Sequence, residues 1–370
     1  MHIAKLSLVN YKNYSEAEIN LHGKVNCFVG NNGVGKTNLL DAVYYLCMCK
    51  SYFHSSDKYT IRQEQDFMVL QGAFVKSEDD ISELYCGLKT GKKKQFRKNK
   101  KEYPRLSDHI GQFPVVMVSP ADSALITEGS EERRKYMNAV ISQFDRSYLE
   151  DTIQYNKVLL QRNKLLKEMR GHSGATELLD VYDNQLAPLA ERVFSVRNKF
   201  VSELTEVFQK YYSLISESKE KVGLHYVSQL DGETNYLSLI KAARGRDLAA
   251  QHTTVGVHRD DLELSMNEMP IKKVGSQGQQ KTFLVSLKLA QFQFLNELKG
   301  VKPILLLDDI FDKFDANRVK QILNLVSEDA FGQIFITHTN EIRMRELLKE
   351  FHGAYALFQV ENGRIITLVQ

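Results

Sequence analysis

The chain has 370 residues, of which 43% are hydrophobic and 26% charged, and its formal net charge at pH 7 is +3. The sequence contains no apolar run long enough to span a bilayer, so we expect a globular protein of about two domains rather than a membrane protein. The small net charge does not indicate a nucleic-acid partner, so evidence for one must come from local clusters. The four cysteines lie in apolar or strand-like stretches, which predicts buried thiols and a cytoplasmic location.

The first motif is a phosphate-binding loop between a strand and a helix. An apolar run ending at Val29 predicts a buried strand, and an amphipathic segment follows Thr37. The sequence between them, GNNGVGKT, matches G-x-x-x-x-G-K-[ST], in which glycines let backbone N–H groups surround an anion at a helix N-terminus. We expect Lys36 to reach the β- and γ-phosphates of ATP and Thr37 to hold Mg²⁺. The predicted nucleotide-binding residues are Gly30, Asn31, Asn32, Gly33, Val34, Gly35, Lys36 and Thr37.

A strongly basic segment follows at residues 89–101. Phe96 and Tyr103 suggest flanking strands, and Asn99 suggests a hairpin turn. Such runs are often only solvated loops, but they also suit contact with the phosphates of DNA, without any base-reading element. The candidate DNA-binding residues are Lys92, Lys93, Lys94, Arg97, Lys98, Lys100 and Lys101.

Long helical periodicity begins near residue 125. Apolar residues recur on one side of a predicted helix from Leu186 to Ile215, and an earlier helix ends before the breaker cluster at 171–174. Two antiparallel helices are therefore predicted, with Pro188 marking a kink or a new helix start.

Two acids follow an apolar, strand-like run near the C-terminus. Asp308 and Asp309 come directly after residues 303–307, at the strand end where ligands of open α/β sheets collect. Two acids at this place could equally cap the next helix, but the upstream phosphate loop favours catalysis. We expect Asp308 to order the Mg²⁺ shell and Asp309 to orient and deprotonate the attacking water.

Three further segments indicate the class of P-loop protein. Residues 275–290 resemble the signature loop and helix of ABC-class ATPases, which implies that Ser276 and Gly278 touch the γ-phosphate held by a second subunit. Residues 311–315 resemble the D-loop of this class. His338 ends an apolar run and resembles the switch histidine, although alone it would be read as a core histidine.

The combination resembles the RecF family, in the SMC-like branch of the ABC class. The resemblance covers nearly the whole chain and includes residues 119–120, 131–134, 255–262 and 275–290, as well as the Asp308-Asp309 pair. It implies an α/β fold, an ABC/SMC-like P-loop ATPase head with an inserted helical lobe. The head would comprise residues 1–124 and 247–370, and the lobe residues 125–246, either as an independent helical domain or as a short version of the SMC arm.

The same resemblance implies a function. We expect a weak, DNA-stimulated ATPase of recombinational repair and replication that uses ATP and Mg²⁺ and forms an ATP-dependent homodimer. It would bind double-stranded, gapped or single-stranded DNA without sequence specificity and work with the RecO and RecR mediators. The alternatives are a P-loop enzyme or transport-associated ATPase acting on a small substrate, and a structural DNA clamp that hardly hydrolyses ATP.

Two features stay open. No unambiguous Q-loop glutamine is present, since Gln63, Gln65 and the segment after Val118 all qualify. The cluster at residues 258–261, His-Arg-Asp-Asp, has the residue types of a metal or hydrolase site, but its acids could simply pair with Arg259. We assign it no catalytic role.

Overall fold

The computed structural model describes residues 1–77, 79–168, 176–216, 220–230, 232–311, 318–319, 321–322, 325, 331–349 and 353–369. The chain divides into two compact units. The first comprises Met1–Ser123, Tyr211–Ser218 and Gln277–Gln370, and the second comprises Ala124–Lys210 and Lys219–Ser276. The second unit therefore extends beyond the predicted boundary at residue 246, while the division into separate domains stays a prediction.

The first half of the chain is rich in strands. The elements in order are β1 (His2–Tyr11), β2 (Tyr14–Asn20), β3 (Val25–Val29), α1 (Lys36–Met48), β4 (Phe67–Ser77), β5 (Asp80–Lys89), β6 (Gln95–Lys98), β7 (Lys101–Glu102), β8 (Val115–Val118), α2 (Ala124–Thr127), α3 (Ser130–Phe144) and α4 (Arg146–Glu168). The second half continues with α5 (Thr176–Ser216), β9 (Val222–Val227), α6 (Tyr236–Ala242), α7 (Arg244–Ala250), β10 (Asp261–Met266), β11 (Met269–Pro270), α8 (Ile271–Val274), α9 (Gln277–Lys299), β12 (Ile304–Leu307), β13 (Ile334–His338), α10 (Glu341–Lys349), β14 (Tyr355–Glu361) and β15 (Arg364–Val369).

The first unit contains two sheets. Antiparallel strands form one sheet in the order β2-β1-β4-β5-β6-β7. The other has the order β15-β14-β3-β13-β12-β8, in which β14, β3, β13, β12 and β8 are parallel to one another. Apolar residues of both sheets and of α1 share one core, which includes Leu8, Phe28, Leu40, Met117 and Phe335. The parallel arrangement of these five strands puts the carboxyl ends of β3, β8, β12 and β13 at one edge, where a ligand site is expected.

The second unit confirms the two long helices but is not purely helical. α4 and α5 run antiparallel, because Asp151 pairs with Arg192 and Arg162 pairs with Asp183, each at 2.7 Å. α5 continues through Pro188 without ending. The unit also holds a three-stranded sheet, β11-β10-β9. The interpretation of residues 125–246 as a helical lobe missed β9, while β10 and β11 lie in residues that the sequence analysis assigned to the head.

Candidate nucleotide site

The loop between β3 and α1 has the backbone shape that an anion cradle requires. Gly30 and Gly35 adopt φ values of 150° and 116°. A Cβ on Gly30 would lie 2.4 Å from the carbonyl oxygen of Val360, and one on Gly35 would lie 2.4 Å from Asn13 Nδ2. Only glycine fits at either position. Asn31, Asn32 and Gly33 are exposed at the tip, and Val34 is half-buried beside them.

Lys36 curls back over this loop from the first turn of α1. Its Nζ donates hydrogen bonds to the carbonyl oxygens of Gly30 at 2.8 Å and Asn31 at 2.9 Å, and the residue is 5% exposed. The ammonium group is thus held at the mouth of the cradle, where it can exchange these carbonyl contacts for phosphate oxygens. This arrangement fits the predicted role of Lys36 toward the β- and γ-phosphates.

The turn between β1 and β2 holds the same loop from outside. Asn13 Nδ2 donates to the Val34 carbonyl at 2.9 Å, and the Tyr14 hydroxyl donates to the Gly35 carbonyl at 3.1 Å. Asn38 of α1 completes the contact by donating to Asn13 Oδ1 at 2.7 Å. Sequence reasoning missed Asn13 and Tyr14, because nothing in a polar hairpin turn indicates which loop it will contact.

Asp308 lies in a pocket of hydroxyl groups at the end of β12. Thr37 Oγ1 donates to its two carboxylate oxygens at 2.9 and 3.1 Å, and Thr337 Oγ1 donates at 2.9 Å. The Ser119 hydroxyl is 3.4 Å away. Burial raises the pKa of Asp308, and the neighbouring Asp309 adds to the rise, while the hydroxyl hydrogen bonds oppose it.

These oxygens form a donor set that suits Mg²⁺. A buried carboxylate beside a threonine hydroxyl offers hard oxygen ligands, and a bound cation would offset the desolvation that raises the pKa of the acid. Thr37 and Asp308 are therefore the pair that could hold the metal. The contact joins the phosphate loop to β12, two segments 271 residues apart.

Asp309 and His338 lie at the same edge of the sheet. Asp309 has a left-handed backbone with φ of 49°, and its N–H donates to Thr337 Oγ1 at 2.9 Å. His338 ends β13 in register with Val29, and its carbonyl accepts a hydrogen bond from the Gly30 N–H at 3.3 Å. His338 Nδ1 accepts from the Asn340 N–H at 2.9 Å, so the proton of the neutral ring is on Nε2.

The predicted signature residues lie at the beginning of α9. Ser276 is exposed and directly precedes the helix, while Gly278 is half-buried in its first turn. Of the predicted D-loop, residues 312–315 lie outside the described residues.

A buried ion pair links α9 to the segment after β8. Lys288 Nζ is 2.7 Å from the Asp122 carboxylate and 2.9 Å from the Tyr52 hydroxyl, which itself donates to Asp122. Asp122 also accepts from the Ser119 N–H at 2.8 Å. The segment after Val118 was one of the Q-loop candidates, and its Ser119 hydroxyl lies 3.4 Å from the Asp308 carboxylate. The assignment of this segment as the Q-loop stays a prediction.

The basic segment forms the predicted hairpin, but not all of its cations point outward. Asn99 and Lys100 have φ values of 50° and 68°, as a two-residue hairpin turn requires. Lys94 Nζ lies 2.8 Å from the Tyr45 hydroxyl, 2.7 Å from the Cys49 carbonyl and 2.7 Å from the Asp57 carboxylate.

Lys98 also faces inward, where it contacts Gln112 at 3.1 Å, and burial lowers its pKa. Arg97 is half-buried over the Tyr85 ring. These contacts argue against Lys94 and Lys98 as DNA contacts. Of the candidate DNA-binding residues, Lys92, Lys93, Lys100 and Lys101 are exposed.

The acids of the cluster at residues 258–261 do not pair with Arg259, as the sequence had allowed. Asp260 is buried and pairs with Arg197 at 2.7 Å. Asp261 pairs with Arg133 through contacts of 2.6 and 2.9 Å. That alternative was wrong because both acids turn toward arginines of α3 and α5, which are distant in sequence.

Comparison with known proteins places the chain in a family. The model for the RecF/RecN/SMC N terminal domain matches residues 2–365. The DNA replication and repair protein RecF of Bacteroides fragilis strain ATCC 25285 is 50% identical over 365 residues, which cover 99% of this chain and 98% of that protein. The chain belongs to the RecF family.

Solved structures agree with this assignment to the RecF family. The recombination mediator protein RecF with ATP, described in the RecFOR pathway, is 30% identical, with a TM-score of 0.90 over 100% of this chain and 98% of that one. The Smc head domain of Pyrococcus furiosus is 15% identical, with a TM-score of 0.56 over 100% of this chain and 96% of that one, and shows the fold alone. The predicted α/β, ABC/SMC-like ATPase fold is confirmed. Within the described part of the chain, no helix is both long and apolar enough to cross a membrane.

Proposed function

We propose that this chain is an ATP-dependent DNA-binding protein of recombinational repair and replication. The observation that carries the proposal is the contact of Thr37 with Asp308 beside the phosphate loop, in a chain that is 50% identical to a DNA replication and repair protein over nearly its full length. A solved relative that is 30% identical is described as a complex of RecF with ATP. A P-loop enzyme acting on a small substrate is not favoured by these relatives.

The residues at the sheet edge have distinct roles in this proposal. Lys36 binds the β- and γ-phosphates of ATP, while Thr37 and Asp308 hold Mg²⁺, which would neutralise charge on those phosphates. Asp309 accepts a proton from the attacking water, and His338 donates from Nε2 to a γ-phosphate oxygen. Ser119 and Thr337 orient the Asp308 carboxylate.

A second copy of the chain completes the site in this proposal. Ser276 and Gly278 lie at the N-terminal end of α9, and the exposed position of Ser276 suits contact with a γ-phosphate bound to another subunit. ATP then favours the dimer, and hydrolysis removes the contacts that hold it together. Slow, DNA-stimulated turnover suits such a switch.

DNA contacts the basic hairpin in this proposal, and other proteins of the same repair pathway are partners of the chain. Lys92, Lys93, Lys100 and Lys101 offer phosphate contacts that do not depend on base sequence. Because one relative is described in the RecFOR pathway, we include the RecO and RecR mediators as partners. A cytoplasmic location suits a protein that resembles a DNA replication and repair protein.

Steady-state ATP turnover with and without gapped DNA tests the proposal. We expect DNA to raise the turnover of the wild-type chain and the Lys36→Ala variant to show none. Turnover that responds to a small acceptor but not to DNA would support the small-substrate enzyme instead. An Asp309→Asn variant with wild-type turnover would indicate a structural clamp whose ATP is hardly hydrolysed.

A further inference from the structure

The loop that contains residues 258–261 lies in the second unit, and the nucleotide site uses none of its side chains. Asp260 is at its centre and is 1% exposed. Its carboxylate pairs with Arg197 at 2.7 Å and accepts from the Ser228 hydroxyl at 2.6 Å and from the Tyr226 hydroxyl. One buried acid thus ties this loop to α5 and to the segment around β9.

The backbone on both sides of Arg259 is also held. Arg197 donates to the Val257 carbonyl at 2.7 Å, and Arg134 donates to the Asp260 carbonyl at 2.6 Å. The Arg259 N–H closes a tight turn by donating to the Gly256 carbonyl at 2.8 Å. The backbone that carries Arg259 therefore has little freedom.

The residues that precede Arg259 fix the turn further. Gly256 has a φ of 129°, and a Cβ there would lie 2.4 Å from the Tyr236 hydroxyl and 2.5 Å from the Tyr155 hydroxyl. The His258 ring is held by the Tyr155 hydroxyl at 2.7 Å and the Thr253 carbonyl at 3.0 Å. Only a glycine with this backbone lets the two tyrosines reach their positions.

Arg259 differs from every other side chain of the cluster. Its side chain is exposed and makes no hydrogen bond or ion pair with any residue in the part of the chain that the structure describes. Both acids of the cluster are already engaged, Asp260 by Arg197 and Asp261 by Arg133. A rigid loop thus presents one guanidinium whose donors point to solvent.

The positive charge of Arg134 acts on the same turn as that of Arg259. His258 stays neutral at pH 7, because burial, assisted by the charges of Arg259 and Arg134, lowers its pKa to about 4. The single negative charge of a phosphodiester would match the charge of the Arg259 guanidinium.

We propose that the held loop presents Arg259 as a binding site for a phosphate group, and that this phosphate belongs to the DNA backbone. The proposal rests on the proposed function, since it adds a second DNA contact to a DNA-binding protein. A guanidinium binds phosphate through two parallel N–H···O contacts, and a backbone fixed beforehand lowers the entropy lost on binding. A nucleotide phosphate offers the same chemistry and is the other source to be tested.

Binding of gapped DNA at several salt concentrations tests this site in the full-length chain. We expect Arg259→Ala to weaken binding on the order of tenfold and to lower the slope of log affinity against log salt by about 0.9, the loss of one phosphate contact. Arg259→Lys should restore the slope but not the full affinity, because it keeps the charge and loses the fork. Arg246→Ala is the matched control, since Arg246 is an exposed arginine of α7 in the same unit.

The DNA and ATP affinities of the Arg259→Ala variant distinguish the two sources of phosphate. Weaker DNA binding with unchanged ATP affinity supports the DNA phosphate, whereas weaker ATP affinity with unchanged DNA binding assigns Arg259 to a nucleotide phosphate. If Arg259→Ala matches the wild type in both assays, or if Arg246→Ala has the same effect, the site does not exist and the proposed function still stands. If the wild-type chain itself binds no DNA, the proposed function and the DNA site fail together. The urea midpoint of Arg259→Ala should equal that of the wild type.

Discussion

Breaking the buried pair between Lys288 and Asp122 should destabilise the first unit strongly. The two side chains are each 4% exposed, and their charged atoms lie 2.7 Å apart. Removal of one partner from a buried ion pair costs about 3 to 5 kcal/mol, because the other charge stays desolvated. In Lys288→Met, Asp122 keeps the Ser119 N–H and the Tyr52 hydroxyl, so we expect a loss of about 3 kcal/mol.

Asp122→Asn should cost more, about 4 kcal/mol, because it removes the carboxylate charge from beside a buried ammonium group. The double variant should lose about 2 kcal/mol less than the sum of the two single losses, since neither charge is then left uncompensated. Urea unfolding of the nucleotide-free chain, followed by circular dichroism because the sequence has no tryptophan, measures all three losses. Losses that simply add would show that the two groups do not interact and would refute the reasoning.

Two other predictions concern the basic hairpin and a buried histidine. Lys94→Ala should lower the free energy of unfolding by about 2 kcal/mol, since Asp57 loses its cationic partner and the Cys49 carbonyl loses a hydrogen bond. Lys92→Ala should leave the free energy of unfolding unchanged and weaken DNA binding. The opposite pattern in urea unfolding and DNA titration would contradict the placement of these lysines. Burial lowers the pKa of His109 to about 4, so the unfolded chain takes up a proton that the folded chain does not, and stability should fall as the pH drops from about 6.5 to about 4. His109→Gln should flatten the dependence of the urea midpoint on pH in that range, and an equally steep dependence in the variant would exclude His109 as its source.

Contiguous motifs made much of the nucleotide site predictable. The phosphate loop is eight consecutive residues whose backbone geometry and helix follow from their order, and Asp308 follows an apolar run that became β12. The residues that contact the phosphate loop and Asp308 from other parts of the chain were not predictable. Asn13 contacts Val34, which depends on how the two sheets pack. Ser119 approaches Asp308 across 189 residues, which depends on the pairing of β8 with β12.

The inward orientation of two lysines in the basic hairpin could have been predicted from the sequence. Alternate residues of a strand share a face, so Lys94 and Lys98 lie on the same side as Phe96, which is 1% exposed in the core. Counting charges along the segment ignored this alternation.

The second unit shows a different limit of sequence interpretation. β9 is only six residues long and follows the long helix α5, so helical periodicity dominated the pattern around it. Its partner β10 begins after a further 33 residues, outside the predicted lobe. Their pairing is nonlocal and gives no local signal.

The solution molar mass of an Asp309→Asn variant, with and without Mg-ATP, tests the central claim most directly. Because this variant should bind ATP without hydrolysing it, the account predicts that Mg-ATP doubles the mass and that adding Ser276→Arg abolishes the doubling. A chain that stays monomeric at saturating ATP would contradict the shared nucleotide site and, with it, the ATP-driven DNA clamp.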